Sequence, residues 1–370
     1  MRHRPADRLA GAAALLVAAL LLAACGSPAA APAGRPGASG AEGSTSRPPP
    51  HAGRRSAATH AVSAASSTSS TSAASGTARA PGPGPSWSGP ELVVRGADLA
   101  SVSCTAVTFC MALDSRGATY RYDGTRWSFA GRLGPSPGAT AGPVTGHHEL
   151  SCVRPEVCVA IDGTADTYRY DGTSWSAAVP LPGAEPLQAI ACAPGGTCVA
   201  VDGVGDAFVT EGSGWSSALN GWGSPASVSC VSATFCAAVG VGVSVWDGST
   251  WSKPAGVDSA GLLTGVSCAT VAHCVAVDDE GDALVRSATR WSPPRRVDGT
   301  ARPVLTGVSC PAAGRCVAVD ASGAAFVLAG GDWSHPALLA PRHELRAVSC
   351  PSVDDCVAVD DAGDAFTLRG

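Results

Sequence analysis

A pair of cysteines with five residues between them occurs seven times after residue 100, and a Trp-Ser dipeptide recurs with it. The second cysteine of a pair precedes the next marker tryptophan by 17 residues, except after Cys236, where the distance is 15. The repeat is therefore about 40 residues long. The cysteine pairs are Cys104 and Cys110, Cys152 and Cys158, Cys192 and Cys198, Cys230 and Cys236, Cys268 and Cys274, Cys310 and Cys316, and Cys350 and Cys356. The marker tryptophans are Trp87, Trp127, Trp175, Trp215, Trp251, Trp291 and Trp333.

Each repeat contains four short runs rich in β-branched and aromatic residues. In the first repeat these runs read LASVSC, FCMALD, ATYRYD and RWSFA, and turn-forming clusters such as SRG and DGT separate them. Four strands in a repeat of about 40 residues are typical of a β-propeller blade. The sequence therefore predicts an all-β fold, a seven-bladed β-propeller with four-stranded antiparallel blades over residues 86–370.

The two ends of the repeat array complement each other. Seventeen residues after Cys356 would be position 373, beyond Gly370, so the last blade lacks its Trp-Ser strand. Trp87 and Ser88 stand before the first blade without a unit of their own. We expect this N-terminal strand to complete the last blade, which closes the ring and removes two exposed sheet edges.

The cysteine pairs are predicted to be structural disulfides across the hairpin of the first two strands, formed in an oxidising compartment. Loops this small give about 2 kcal/mol per bridge in the chain-entropy treatment. Metal binding is the alternative, but no two pairs adjoin in sequence.

The N-terminal 85 residues differ in composition from the repeats. Residues 1–24 carry three arginines and then an uncharged apolar stretch, which predicts a secretory signal peptide. The ending LLAACGS resembles the lipobox of bacterial lipoproteins, and Cys25, the one unpaired cysteine of 15, is the expected lipidation site. An ordinary signal peptide is the alternative. Residues 25–85, rich in Ala, Ser, Pro and Gly, are predicted to be a disordered tether.

Charge excludes some partners of the folded part. Residues 86–370 carry 17 basic and 28 acidic residues, whereas residues 1–85 carry eight arginines against Asp7 and Glu42. An acidic domain disfavours nucleic acid and direct binding to anionic lipid, so membrane contact is expected through the Cys25 anchor only. One lysine against 24 arginines, with abundant alanine, glycine and proline, suggests a GC-rich genome, and with the lipobox the chain resembles those of actinobacteria.

The hairpin between the third and fourth strands reads YRYDGTRW at Tyr120 to Trp127 and YRYDGTSW at Tyr168 to Trp175. It resembles the kelch repeat and, more loosely, the Asp-box of sialidase-like propellers. The double glycine of kelch is absent, and Asp123 precedes its tryptophan by four residues where the Asp-box has five. The stapled repeats also resemble those of actinobacterial secreted propellers. These resemblances imply fold and location, whereas function requires a site.

An aspartate follows the second cysteine by four residues in six repeats, and Gly240 takes its place in the fourth. One interpretation is that each aspartate closes the turn between the second and third strands through its own backbone. The other is an acidic rim on one propeller face for a cation, a cationic ligand or a basic protein patch, lopsided towards Asp278 to Asp282 and Asp354 to Asp364. The candidate rim comprises Asp114, Asp162, Asp202, Asp278, Asp279, Asp282, Asp320, Asp360, Asp361 and Asp364.

No catalytic constellation stands out in the sequence. The segments HHEL at His147 to Leu150 and RHEL at Arg342 to Leu345 lack the His-Glu-x-x-His spacing, so we expect solvated strand starts. All four tyrosines fall in the third strands of two blades, away from the axis where a sialidase-like enzyme would need one.

These observations predict a lipid-anchored binding or scaffold module on the extracytoplasmic face of the cell membrane, without catalysis and without a cofactor. The expected partner is an envelope protein or glycan bound through one propeller face, and we expect a monomer. The alternatives are a carbohydrate-active enzyme or lyase that uses the central opening, and a sensor of a small ligand or a cation such as calcium. A carboxylate pair with an arginine or tyrosine at the axis would favour the enzyme.

Overall fold

The structure is a computed structural model that describes residues 86–134, 147–211, 214–218, 223–257, 261–299 and 301–370. These residues form 29 β-strands, and no helix occurs among them. Accordingly, none of the described segments is a helix long and apolar enough to cross a membrane. The predicted signal peptide, Cys25 and the predicted tether lie outside the described residues.

The strands form seven antiparallel sheets, as the repeat predicts, and this confirms the seven-bladed propeller. The innermost strands are β2 (Leu99–Ala106), β6 (Glu149–Arg154), β10 (Leu187–Cys192), β14 (Pro225–Ser232), β17 (Leu263–Thr270), β22 (Leu305–Ala312) and β27 (Leu345–Ser349). The second strands are β3 (Phe109–Asp114), β7 (Val157–Ile161), β11 (Cys198–Asp202), β15 (Phe235–Gly240), β18 (His273–Asp278), β23 (Arg315–Asp320) and β28 (Cys356–Asp360). The third strands are β4 (Ala118–Tyr122), β8 (Asp166–Tyr170), β12 (Ala207–Glu211), β16 (Val243–Trp246), β19 (Asp282–Ser287), β24 (Ala324–Ala329) and β29 (Asp364–Arg369).

The outer strands vary most between blades. Those of blades 1, 2 and 3 are β5 (Trp127–Arg132), β9 (Val179–Pro180) and β13 (Gly214–Ala218). Blade 5 has β20 (Arg290–Trp291) and β21 (Arg295–Arg296), and blade 6 has β25 (Asp332–Trp333) and β26 (Ala337–Leu338). Blade 4 keeps only the isolated bridges Trp246 to Trp251 and Val243 to Ala255. Prolines stand within the outer segments of blades 4, 5 and 6, and proline cannot donate a ladder hydrogen bond. The interruptions leave short edges that are poor templates for further strand pairing.

The ring closes through the N-terminal strand β1 (Ser86–Leu92). It pairs with β29 in the last blade, where Trp87 lies opposite Leu368 and Leu92 opposite Asp364. The last sheet thus has the order β1, β29, β28, β27, with strands from both ends of the repeat array. The predicted closure is confirmed.

The apolar core lies between neighbouring blades. One cluster, for example, combines Leu99 and Tyr120 of blade 1 with Val359 and Ala365 of blade 7. The second strands are buried on both faces, since each sheet packs against a neighbour on either side, and this accounts for near-continuous apolar runs such as CVAVD. Small alanines at the centres of these strands, such as Ala318, allow the sheets to approach closely.

All seven predicted cysteine pairs form disulfides, and their Cα atoms lie 3.9 to 4.1 Å apart. Each bridge joins the end of an inner strand to the start of the second strand, as the pairing of Cys104 with Cys110 in β2 and β3 shows. We call the side of the propeller that carries these hairpins the disulfide face. The bridges indicate an oxidising compartment outside the cytoplasm.

Candidate functional site

The opposite side of the propeller, which we call the turn face, carries two sets of loops. The amide of Ser115, at the turn after the second strand, donates to the carbonyl of Asp98, just before the inner strand, at 2.8 Å. Asp279 donates in the same way to Leu262, and Asp361 to Glu344, each at 3.1 Å. The turns between second and third strands and the connections into the inner strands therefore share this face, as predicted.

The six repeated aspartates of the candidate rim are buried hairpin caps. In Asp320, which is 1% exposed, Oδ1 accepts the amides of Ser322 at 2.9 Å and Ala324 at 2.7 Å. The other five bond the equivalent two amides, and none is more than 3% exposed. Gly323 completes the same turn at φ 86°, which an L side chain rarely adopts. The geometry is that of the backbone-capping interpretation, and these carboxylates do not reach solvent.

Two of these caps are reinforced by tyrosines of the third strands. The Tyr168 hydroxyl donates to Oδ2 of Asp162 at 2.7 Å, and the Tyr120 hydroxyl contacts Oδ2 of Asp114 at 3.3 Å. Burial, followed by the effect of the aspartate, raises the pKa of both tyrosines above its usual range. The tyrosines thus bury neutral hydroxyl donors inside blades 1 and 2.

The other four aspartates of the candidate rim lie at the turns of blades 5 and 7. Oδ1 of Asp279 accepts the amide of Leu262 at 2.8 Å, and Oδ1 of Asp361 lies 3.0 Å from Nδ1 of His343. Asp282 is 9% exposed and pairs with Arg296 at 3.4 Å, whereas Asp364 is half-buried. A contiguous acidic rim is absent from the described part of the turn face, because blade 6 has Ala321 in the equivalent turn.

Asp354, which the sequence pattern assigns to the same acidic stretch, lies between the cysteines of the last blade. It pairs with Arg315 at 3.8 Å on the disulfide face. The inclusion of Asp354 in the rim is wrong, because the hairpin between the first and second strands points away from the turn face.

The central opening forms a channel cavity of about 570 Å³ between the seven inner strands. Its lining runs from the start of each inner strand inwards, so it opens at the turn face. Blades 7, 1, 2 and 3 contribute the polar side chains Arg346, Asp98, His147, His148, Glu149 and Gln188. Blades 4, 5 and 6 contribute small, hydroxyl or aliphatic residues, among them Ala226, Thr264, Gly265, Val304 and Gly307. The channel is therefore chemically two-sided.

An ion cluster marks the polar side of the channel mouth. The Arg346 guanidinium bonds Asp98 through Nε at 3.1 Å and Glu344 through Nη1 at 2.6 Å. The Asp98 and Arg346 side chains are each 37% exposed, so water screens the pair. Two carboxylates against one guanidinium leave the cluster with a net charge of −1.

Behind this cluster, the ring encloses His148 and partly covers Glu149, whereas His147 is exposed. Oε2 of Glu149 accepts the amide of Ile190 in the next blade at 2.8 Å, and burial raises the pKa of this glutamate to about 8. His148 is only 3% exposed. The prediction of a solvated strand start is wrong for His148 and Glu149, because seven inner strands surround the axis. It agrees with the position of His343, whose side chain is 50% exposed.

The serine before the first cysteine of a repeat joins adjacent inner strands, a role that the sequence analysis missed. Its Oγ accepts the amide of the first cysteine in the next blade, as Ser309 does for Cys350 at 3.0 Å. Six of the seven junctions have this bond, including the closing one from Ser349 to Cys104. Blade 3 has Ala191 at this position. The recurrent Val-Ser-Cys triplet is the sequence feature from which this role of the serine could have been inferred.

Exposed aliphatic side chains lie on the turn face in blades 3 to 6, whereas the ion cluster lies where blades 7 and 1 meet. Leu262 and Val304, which precede the inner strands of blades 5 and 6, are 54% and 47% exposed. Val204 and Val241, at the turns of blades 3 and 4, are 49% and 60% exposed. Solvent-exposed aliphatic residues clustered beside a cavity are a feature of binding surfaces.

Within the described ranges, no group of three or more His, Cys, Asp or Glu side chains is arranged to hold a metal ion. Thermal melts with and without calcium remain the direct test of the cation alternative.

No protein-family model matches the sequence, and no curated protein is similar to it in sequence. The kelch-like and Asp-box-like resemblances therefore remain predictions. Solved structures do share its fold. YCF48 bound to D1 peptide is 13% identical with a TM-score of 0.61, covering 77% of this chain and 95% of that one. The WD40 β-propeller domain of Doa1 is 10% identical with a TM-score of 0.61, covering 78% and 97%.

An enzyme is among the similar structures as well. A catalytically inactive variant of virginiamycin B lyase from Staphylococcus aureus, with quinupristin, is 7% identical with a TM-score of 0.65, covering 77% of this chain and 99% of that one. At such identities the comparisons show the fold alone. The chain is a seven-bladed β-propeller, a class that includes both peptide-binding proteins and enzymes.

Proposed function

We propose that this protein is an extracytoplasmic binding module that holds a protein or peptide partner of the cell envelope against its turn face. The observation that carries the proposal is the two-sided channel mouth. The ion cluster of Asp98, Glu344 and Arg346 and the exposed aliphatic residues share the turn face, and Asp98, Arg346 and Val304 line the channel itself. Interfaces combine apolar contact area with a few oriented charges in this manner.

Two further observations support the proposal. The disulfides link every hairpin of the disulfide face, and serine hydrogen bonds join the inner strands of adjacent blades. The turn face therefore belongs to a rigid ring. A similar propeller, YCF48, has been solved with a bound peptide. A rigid scaffold reduces the ordering cost of binding.

Lipid anchoring through Cys25 is part of the proposal. It rests on the lipobox-like sequence and on the disulfides, which fit the oxidising side of a membrane. The Cys25→Ala variant should lose the acyl mass and partition into the aqueous phase of a detergent extraction, whereas the unaltered protein partitions with detergent. Equal partitioning of the two proteins would remove the anchor from the proposal.

The binding role is tested by site-specific photocrosslinking in the native envelope. A crosslinking amino acid at Val204, on the turn face, should capture a discrete partner, while the same group at Val271, on the disulfide face, should not. The two positions are matched, since Val204 is 49% and Val271 54% exposed. Equal capture at both positions, or none at Val204, would count against binding through the turn face.

A second candidate is an enzyme that uses the channel, either carbohydrate-active or a lyase. The carboxylates of Asp98 and Glu344 flank a shared arginine at the channel mouth, and a carboxylate pair supported by an arginine is what such an enzyme would need. Both carboxylates are ion-paired, so Arg346 orients them. Turnover of glycosides or of quinupristin that is abolished in Asp98→Asn, with unchanged thermal stability, would establish this function in place of the first.

A further inference from the structure

We propose that the channel mouth binds an extended peptide segment in which a lysine or arginine adjoins aliphatic residues. This inference rests on the proposed binding function and specifies the chemistry of the partner. It follows from three properties of the mouth: exposed aliphatic side chains, a carboxylate beside them, and an excess of negative charge in the neighbouring ion cluster.

The aliphatic contact is provided by Leu262 and Val304. They occupy corresponding places before the inner strands of blades 5 and 6, and those strands are tied by a hydrogen bond from Thr264 Oγ1 to the carbonyl of Leu305 at 2.6 Å. About half of each side chain is exposed to solvent. A partner that covers both with its own aliphatic side chains removes apolar surface from water on each side.

The carboxylate of Asp279 lies directly beside this aliphatic pair, because its Oδ1 accepts the amide of Leu262 at 2.8 Å. Among the described residues, Glu280 pairs with Arg302 and Asp282 with Arg296 in the same turn, and Asp279 takes part in neither ion pair. If a partner carries a lysine or arginine beside its aliphatic residues, that cationic side chain can form an ion pair with the Asp279 carboxylate.

The ion cluster, which lies next to blade 6 where blades 7 and 1 meet, has the same sign of charge. The cluster of Asp98, Glu344 and Arg346 has a net charge of −1, and both carboxylates already occupy the guanidinium. An acidic peptide would therefore face repulsion from both the cluster and Asp279, whereas a basic one is attracted by both. Deeper in the channel, the raised pKa of Glu149 leaves its side chain mostly uncharged at neutral pH, so the charge that steers a ligand lies at the mouth.

The test uses the full-length protein and three fluorescein-labelled peptides, followed by anisotropy. The peptides are Gly-Ser-Leu-Lys-Leu-Ser-Gly, a form with glutamate in place of lysine, and a form with serine in place of both leucines. We expect saturable binding of the first peptide and affinities at least about tenfold weaker for the other two, since loss of one or two such contacts is worth about a factor of ten. Similar affinities for all three would overturn the inference.

Matched variants locate the binding. Leu262→Ser combined with Val304→Ser should weaken binding of the leucine–lysine peptide about tenfold, whereas Val271→Ser combined with Val107→Ser, exposed to similar extents on the disulfide face, should leave it unchanged. Asp279→Lys should reverse the preference towards the glutamate peptide, a result that misfolding cannot produce. Unweakened binding by the Leu262 and Val304 variant, or an unreversed preference in Asp279→Lys, would refute the assignment.

The two proposals fail in different ways. If Val204 captures an envelope partner but none of the peptides binds, the peptide chemistry is wrong and the binding function stands. If Val204 captures nothing and none of the peptides binds, both proposals are overturned.

Discussion

The enclosed carboxyl of Glu149 makes the stability of the ring depend on pH. Its pKa is raised from 4.5 to about 8, mainly by burial, so the folded state retains a proton that the unfolded chain releases. The contribution of Glu149 to the free energy of unfolding is therefore greatest below pH 4.5, falls as pH rises from 4.5 towards 8, and then levels off. Glu149→Gln keeps an oxygen that can accept the Ile190 amide but removes the titration, so its stability should lack this decline.

The size of the effect follows from the shift. Each pKa unit corresponds to about 1.4 kcal/mol, which sets an upper limit of about 5 kcal/mol on the cost of ionising Glu149 in the folded protein. Glu149 keeps some solvent contact through the channel, and relaxation around the charge lowers the cost further, so we expect about 1 to 3 kcal/mol.

The assay is urea unfolding followed by tryptophan fluorescence at pH 5 and pH 8.5, with the disulfides intact and reversibility verified. The advantage of Glu149→Gln over the unaltered protein should be about 1 to 3 kcal/mol larger at pH 8.5 than at pH 5. All ionisable groups other than residue 149 are the same in the two proteins, so their contributions largely cancel in this comparison. Glu156→Gln, which removes a surface carboxylate from the same blade, serves as control. The same difference at both pH values would show that the folded protein does not hold this proton.

Three other perturbations probe the ring. Asp320→Ala leaves two hairpin amides without their acceptor and should lower the free energy of unfolding by about 2 to 4 kcal/mol, whereas Asp320→Asn, which keeps an acceptor, should cost clearly less; equal losses would dismiss the capping role. Deletion of residues 86–92 removes the outer strand of the last blade and should lower the melting temperature by several degrees, and an unchanged melt would contradict ring closure. Ser309→Ala should cost about 1 kcal/mol in urea unfolding, because the Cys350 amide loses its partner; no change would mean that the serine bonds between blades add nothing to stability.

The repeat was sufficient to predict the fold because its signals are local. Cysteine spacing, strand-length apolar runs and turn residues all lie within one unit of about 40 residues, and each unit meets the same environment. The capping aspartates are also local signals, because Asp320 accepts hydrogen bonds from amides only two and four residues further along the chain. The local interpretation of these aspartates therefore agrees with the geometry, while the rim interpretation required surface exposure, which sequence spacing does not report.

The channel mouth could not be predicted in this way. Arg346 and Asp98 are 248 residues apart and meet only because the ring closes blade 7 against blade 1. Their register within the repeats differs by two residues, so the aligned units do not show them as a pair.

The sequence by itself determined the number of blades, their hairpins and disulfides, and the closing strand, because these depend on contacts within a repeat and on counting. Only the tertiary structure decided which side chains the central channel encloses and which it exposes at its mouth. Glu149 illustrates the difference: as a residue at the start of a strand it is expected in water, but seven converging inner strands surround it and raise its pKa. Burial at an axis is a property of the closed ring and of no single repeat.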